Sequence, residues 1–574
     1  MLRQFFRNFI GRQGRRENAA SAARSIDSEI SEAVRRFSAG DHAIAKVISE
    51  ELVRENPRNH QAWNLLGALA ASADQHEPAV RHFERAIALR PASADYLSNC
   101  GEACRRAGWL DDAIDHCRAA IAVDPRNAGA HYNLGLALHA VGEIEEARAA
   151  LVGALAIQPD MRAGRSALLF LLCHHPDIDG DTLFAEHCRW NELHAGNLVP
   201  KTAWRAVESA TGRRLRVGYV SADFRSHALA YFIEPLFANH DRTRFEVFCY
   251  SNTRRPDDVT VRLRGYPSQW RDITTLSDEA AAALVMRDRI DILVDLSGHT
   301  ADSRLLIFAR KPAPVQLSYV GYPNTTGLTT MDYRMSDACM DPPGVSDAMY
   351  TETLLRMPHS LWCYRPPTGM PDVGPLPALQ RGLTTFGSLH NFAKLNRKVF
   401  DLWACILVRY PASELLMAGI PAGETAARLR ARFAAHGVDA ARIHLIGKLN
   451  FDEYLKLYQR IDIALDAFPY TGGTTTCESL WMGVPVVTLA GKFGVSRAGV
   501  SLLTAAGLAE LIADNAEQYI EIAMNLARDP RRLAELRASL RARVQRSPLM
   551  DEAGFTRDFE AAVGRAFQAA IARG

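Results

Sequence analysis

The sequence predicts an α-helical repeat arm at the amino end, followed by an α/β body of two doubly wound parallel sheets. Three observations carry this. Residues in the first part of the chain recur at a spacing of 34. After about Arg214, strand-length apolar runs alternate with helical stretches. A proline-rich segment then interrupts the alternation, and the series starts again. A chain of 574 residues also exceeds the ~100–200 of one domain, so three or more units are expected.

In the arm, Pro57, Pro91, Pro125 and Pro159 keep the spacing of 34, as do Gly67, Gly101 and Gly135. Ala45, Ala79, Ala113 and Ala147 form a third column, and Ala86, Ala120 and Ala154 a fourth. Columns sharing one register mark a structural repeat. Small residues such as Gly67 and Ala79 let the two helices of a hairpin approach. Trp63, Leu66, Phe83 and Ile87 are expected to fill the space between neighbouring hairpins. Proline cannot continue a helix, so it falls between hairpins; Gly108 and Gly142 fall at the turns within them. The pattern resembles the tetratricopeptide repeat (TPR), about four units over 27–159. Stacked hairpins form a superhelix whose groove suits extended peptides, so acceptor proteins or peptides are expected there, with packing or self-association as the alternative use. Over 160–213 the period is lost and apolar stretches such as SALLFLLCHH predict a helical connector. The tail, 1–26, opens MLRQFFRNFIGRQGRR. Arg3 and Arg7 interrupt its apolar residues, so a frayed terminus is expected ahead of an interfacial helix or targeting segment.

In the body, RLRVGYVSADF, RIDILVDLSGH and PVQLSYVGYP are buried-strand runs ending in small or polar residues, with a helix expected around 280–286. They define a first lobe over 214–379, which includes a linker rich in proline, RPPTGMPDVGPLPAL. TTFGSLHN, ASELLMAG, RIHLIGKL, RIDIALDAFP and GVPVVTLAG define a second lobe over 380–574, with which the terminal helices are grouped. Alternating strands and helices predict parallel sheets covered on both faces, with ligands at the carboxyl ends of the strands.

Composition narrows the function. With 67 basic and 65 acidic residues the formal net charge is +2, so no global field draws the chain to nucleic acid or an anionic membrane. No stretch approaches the ~18–20 apolar residues of a membrane span. The 10 cysteines show no CxxC or zinc-finger spacing, so no metal site is expected, and they fit reduced thiols in a cytoplasmic protein.

Five segments are candidates for the site. In IDIALDAFPYTGGTTTCESLWMGVPVVT, Gly472 and Gly473 permit a tight turn, and Thr474, Thr475 and Thr476 open a helix. Free backbone N–H groups there would hold a diphosphate, while Glu478, a turn further on, could accept ribose hydroxyls; a plain capped helix is the alternative. In TFGSLHNFAKLNRKV, Lys394 follows a strand and could neutralise a departing phosphate, or be a solvated surface lysine; Arg397 and Lys398 begin the next helix and are weaker candidates. In YVSADFRSHALAYF, His227 could serve as a base toward an acceptor hydroxyl, or be structural. LSGHTADSR and GYPNTTG look like cleft-lining loops.

GYPNTTG, FGSLHNFAK, FPYTGGTTTCESLWMGVPVVT and the terminal SPLMDEAGF, together with the repeats, resemble the O-GlcNAc transferase and SPINDLY group, glycosyltransferase family 41. The resemblance implies a GT-B body of two Rossmann-like lobes. It also implies inverting, metal-independent transfer of a sugar from a nucleotide donor to protein Ser or Thr, with no cofactor. Residue by residue it places the phosphate-binding lysine on Lys394, the helix-start threonines on Thr474 and Thr475, the ribose-binding acid on Glu478, the active-site histidine on His227 and the donor-contacting amide on Asn391. Two departures bear on the donor. Gly473 stands where animal O-GlcNAc transferases have histidine, and Tyr454 stands at the position of their base-stacking histidine. GYPNTTG, TTTCES and LSGHTA resemble the SPINDLY branch, which implies GDP-fucose, whereas the family default is UDP-GlcNAc. A repeat scaffold with an inactive GT-B domain and a family N-glucosyltransferase are the rival readings.

Overall fold

The computed structural model describes residues 21–198 and 212–573, in two compact units, Met1–Leu171 and Leu172–Gly574. The basic tail segment of 1–16 and part of the connector therefore lie outside the described residues.

The first unit is built of antiparallel helix pairs: α1 (Ser21–Ala39) with α2 (His42–Glu55), α3 (His60–Ser72) with α4 (His76–Leu89), α5 (Ala94–Ala107) with α6 (Leu110–Val123), and α7 (Ala128–Ala140) with α8 (Ile144–Ile157). Helix α1 begins before the boundary at 27. The four prolines fall between pairs. Gly108 ends α5 in the left-handed region, φ +88°, and Gly142 turns α7 into α8 at φ +74°. Asn59 and Asn127 cap α3 and α7, their side-chain oxygens accepting from the N–H groups of Ala62 and Ala130 at 3.0 and 2.8 Å. The glycine column is a within-hairpin contact: a Cβ on Gly67 would lie 2.6 Å from the Phe83 ring, and one on Gly135 2.7 Å from Leu151. This corrects the expectation for two of the large residues. Phe83 fills the slot that Gly67 leaves within its own hairpin, and Trp63 stacks on His82 of the paired helix at 5.6 Å. Ile87 does pack against a cluster of the following hairpins, Ala94, Leu97, Ala120 and Ala130.

The second unit holds two all-parallel sheets. The first comprises β1 (Leu215–Ser221), β2 (Phe245–Ser251), β3 (Gln269–Asp272), β4 (Ile292–Asp295), β5 (Val315–Ser318), β6 (Tyr333–Asp337) and β7 (Thr353–Met357), in the order β3-β2-β1-β4-β5-β6-β7. The second comprises β8 (Thr384–Ser388), β9 (Ser413–Met417), β10 (Ile443–Leu445), β11 (Ile463–Leu465), β12 (Val486–Leu489) and β13 (Ile512–Ala513), in the order β10-β9-β8-β11-β12-β13. Strand order reverses between β1 and β4 in one sheet and between β8 and β11 in the other. Crossovers leave these points in opposite directions, so loops part there and open a crevice. His227 follows β1; Lys394 follows β8; the Gly472–Gly473 turn follows β11.

The terminal helix Glu552–Arg573 corrects the predicted domain division. It packs on the first-lobe helix Ala230–Asn239 rather than on the second lobe. Phe559 stacks toward Tyr219, and a buried chain runs from the Tyr219 hydroxyl to His240 Nε2 at 2.7 Å and from His240 Nδ1 to Glu560 at 2.9 Å. Apolar burial on the first sheet, with every polar group in that chain partnered, sets the helix's place. The proline-rich linker is pinned in turn: the Arg537 guanidinium donates to the carbonyls of Gly374, Ile461 and Tyr458 at 2.8, 2.8 and 3.1 Å. Among the described residues, no helix is long and apolar enough to cross a membrane.

Candidate active site at the second switch point

The site grows out of Asp466, the residue after β11. Its carboxylate is fully buried and satisfied on every side. Oδ1 accepts from the N–H groups of Ala467 and Gly472 at 2.9 and 2.8 Å and stands 3.1 Å from His390 Nε2; Oδ2 accepts from the Thr488 hydroxyl at 2.6 Å. Asp466 thus folds the segment after β11 back on itself. Because β8 and β11 are neighbours, His390, just beyond β8, reaches the same carboxylate. On its other side, His390 Nδ1 lies in hydrogen-bond distance, 2.9 Å, of the Thr475 hydroxyl.

Gly472 is required by this packing. A Cβ there would lie 2.5 Å from Thr476 Oγ1, 2.7 Å from His390 Cε1 and 2.8 Å from Thr475 Oγ1. Gly473 has ordinary room, its Cβ position lying 3.5 Å from the Trp362 ring. The helix Thr474–Trp481 begins at Gly473 with no side chain capping it, so its first N–H groups are free to meet an anion. Among the described residues the buried Thr476 hydroxyl, Ser388 hydroxyl and Trp362 indole N–H also lack a hydrogen-bond partner. Buried polar groups are ordinarily paired, so these mark where a ligand's atoms would complete the structure.

Lys394 is no solvated lysine. It ends the short turn Phe392–Lys394, and its Nζ donates to the Thr471 carbonyl at 3.3 Å and stands 4.1 Å from the centroid of the Tyr470 ring. Removal from water lowers its pKa to about 8, against the pull of Asp466. Asn391 is exposed and its side-chain oxygen accepts from the Ala393 N–H at 3.1 Å, so it shapes the turn that carries Lys394. Lys398 points elsewhere, into an ion pair with Asp177.

Glu478 is buried. Its Oε2 accepts from the hydroxyls of Tyr454 at 2.7 Å and Tyr458 at 3.3 Å, while Oε1 makes no hydrogen bond among the described residues. Burial pushes its pKa up to about 7, with both tyrosines opposing. Tyr454, expected as a stacking ring, is thereby tied to Glu478, although its ring also lies nearly parallel to Phe451 at 6.1 Å. His227 stands apart from this cluster. Its partners among the described residues are Asp223, 3.9 Å away, and the Leu229 N–H, 3.3 Å from Nδ1. Partial removal from water lowers its pKa, against the pull of Asp223. The two loops expected to line the cleft pack against each other: His299 Nε2 lies 2.8 Å from the Thr326 carbonyl, and a Cβ on Gly321 would lie 1.8 Å from the Leu296 carbonyl oxygen.

His390 and Asp466 were not singled out from sequence. Each directly follows or nearly follows an apolar strand run, and that position is the signal that could have found them.

The model of glycosyl transferase family 41 matches residues 180–364 and 379–559, and tetratricopeptide-repeat models match 31–94, 101–142 and 128–161. A rice (Oryza sativa subsp. japonica) protein described as a probable UDP-N-acetylglucosamine–peptide N-acetylglucosaminyltransferase SPINDLY is 40% identical over 414 residues, covering 71% of this chain and 44% of the relative. The similarly described SEC protein of Arabidopsis thaliana is 32% identical over 366 residues, 61% of this chain and 36% of the relative. The chain thus spans less than half the length of these relatives. Among solved structures, a mutant O-GlcNAc transferase from Thermobaculum terrenum superposes with a TM-score of 0.80 at 36% identity, covering 97% of this chain and all of that one.

Proposed function

The chain belongs to glycosyltransferase family 41, and from that membership we propose that it is a protein O-glycosyltransferase, moving N-acetylglucosamine from UDP-GlcNAc to Ser or Thr hydroxyls with inversion. The observation that carries this is the convergence of the enclosed Lys394 amine with the uncapped helix start at Thr474–Thr476, across the turn that Gly472 makes. In an inverting displacement the acceptor hydroxyl attacks the anomeric carbon opposite the nucleotide, and negative charge grows on the leaving diphosphate. Lys394 and the helix-start N–H groups supply preorganised positive charge there. The Thr475 hydroxyl, fixed through His390 by Asp466, stands at the same place. Glu478 Oε1 accepts from the ribose and Tyr454 borders the base. His227, on the first lobe, faces the acceptor side as a base or orienting group. With phosphate charge met by the chain's own groups, added Mg2+ or Mn2+ is expected to leave turnover unchanged.

A second donor, GDP-fucose, is favoured by one feature. Gly473 leaves open, beside Trp362, the space that a histidine side chain would take. Calorimetric titration with UDP and GDP separately decides: tight binding of GDP with none of UDP overturns the UDP-GlcNAc assignment. Turnover of the donor with a peptide library, read by mass spectrometry, tests transfer itself, and no modified peptide with either donor would favour an inactive scaffold. The TPR arm is proposed to hold acceptor proteins. The 10 cysteines are all free thiols, which suits the reducing cytoplasm.

A further inference from the structure

The third hairpin of the arm holds a cluster that the transferase reading does not use. Cys100 and Cys104 lie one turn apart on α5, so their side chains share a face. His116 comes from the paired helix α6. One ligand atom from each, the two sulfurs and an imidazole nitrogen, all lie within 4.8 Å of one another. Both thiols are buried, and His116 is half-buried with no hydrogen bond or ion pair among the described residues.

The repeat supplies its own comparison. At the positions of Cys100 and Cys104 the preceding hairpin has Leu66 and Ala70 and the following one Leu134 and Leu138. Packing in this column is therefore satisfied by apolar side chains, and a pair of thiols is particular to this hairpin. Cys117 shows what a purely packing cysteine does here. Its sulfur fills the slot opposite Gly101, where a Cβ would lie only 2.5 Å away.

We infer that Cys100, Cys104 and His116 form a binding site for a thiophilic divalent ion of the zinc type, joining α5 to α6. Two sulfurs and a nitrogen are a fitting donor set for such an ion, leaving a fourth position for water. Around tetrahedral zinc, ligand atoms stand roughly 3.4–3.8 Å apart, given metal–ligand bonds of about 2.0–2.3 Å. Closing from within 4.8 Å needs only side-chain rotation. Binding releases one proton from each thiol, so the two thiolates balance the 2+ charge and the buried site stays neutral.

The test uses the full chain, reduced and stripped with a chelator, titrated with CoCl2 and then ZnCl2. One Co2+ per chain with a thiolate-to-cobalt charge-transfer band, displaced by one Zn2+, is expected. Cys104→Ala and His116→Ala, checked for native circular dichroism, are expected to lose roughly hundredfold or more in affinity. Absence of the charge-transfer band, or the same band and affinity in either variant, overturns the site. His116→Ala keeps the test decisive should the buried cysteine variant fail to fold.

Discussion

Replacing Lys394 with alanine tests the charge-stabilising role most directly. The substitution removes the amine that donates to the Thr471 carbonyl and stands over Tyr470, but leaves the Gly472 turn and its Asp466 anchor intact. Loss of one preorganised charge-stabilising donor lowers the rate by about 10²–10³, equivalent to about 2.7–4 kcal/mol at the transition state. A surface lysine would cost almost nothing. Because burial lowers Lys394 to about 8 in the free protein, the amine loses its proton as pH rises through that range. An anionic donor binds the protonated form better, so wild-type kcat/KM should decline as pH rises through 8, and the alanine variant should lack that limb. The assay is initial-rate transfer to a short peptide at saturating and at limiting donor, with circular dichroism to confirm the fold. Near-wild-type turnover at saturating donor, or a basic limb that survives in the variant, would refute the reasoning.

Glu478, pushed up to about 7, should give the acid limb of the same profile, because ribose hydroxyls need its ionised form as acceptor. Glu478→Gln is expected to flatten kcat/KM below pH 7, and an unchanged acid limb would remove Glu478 from donor binding. Gly472→Ala forces contacts of 2.5–2.8 Å and should destabilise the protein by about 1–3 kcal/mol; Gly473→Ala should not, and equal melting temperatures for the pair would contradict the turn geometry. His390→Ala leaves the Thr475 hydroxyl unfixed and takes the imidazole away from Asp466, so the donor KM should rise and stability fall by about 1–3 kcal/mol; an unaltered KM would make His390 purely structural. Deleting residues 1–158 should spare transfer to short peptides and reduce transfer to whole proteins. Equal rates on proteins would give the arm another task.

Repeats and strand runs were legible because each follows from a local rule. Proline and glycine break helices at fixed places, and a parallel strand buried on both faces must be continuously apolar. What escaped depends on contacts far apart in sequence. β13 has only two residues, Ile512 and Ala513, too few for any pattern. The terminal helix follows the second lobe in chain order, yet Tyr219, His240 and Tyr319 of the first lobe provide its apolar face and its polar partner. In the arm, residue size alone could not tell which neighbour Phe83 meets; the absent side chain of Gly67 decides that.

The site divides in the same way. Lys394 and Thr474–Thr476 were identifiable because a strand-end lysine and a glycine turn opening a helix are local anion-binding features. Their environment was not. Lys394 looks solvated until the strand order of the second sheet is known. Then β8 and β11 become neighbours, and the residues just past them, His390 and Asp466, must share one end of the sheet. Asp466 holds the Gly472 N–H and, through His390, the Thr475 hydroxyl, so one carboxylate sets both the turn and the first residues of the helix. Glu478 differs in the same sense. One turn inside the helix, it could have faced solvent, but Tyr454 and Tyr458 arrive from the segment before β11 and enclose it. A sequence motif thus pointed to the groups proposed to meet a phosphate. The parallel strand order specified how tightly they are held, and that enclosure is what moves Lys394 toward 8 and Glu478 toward 7.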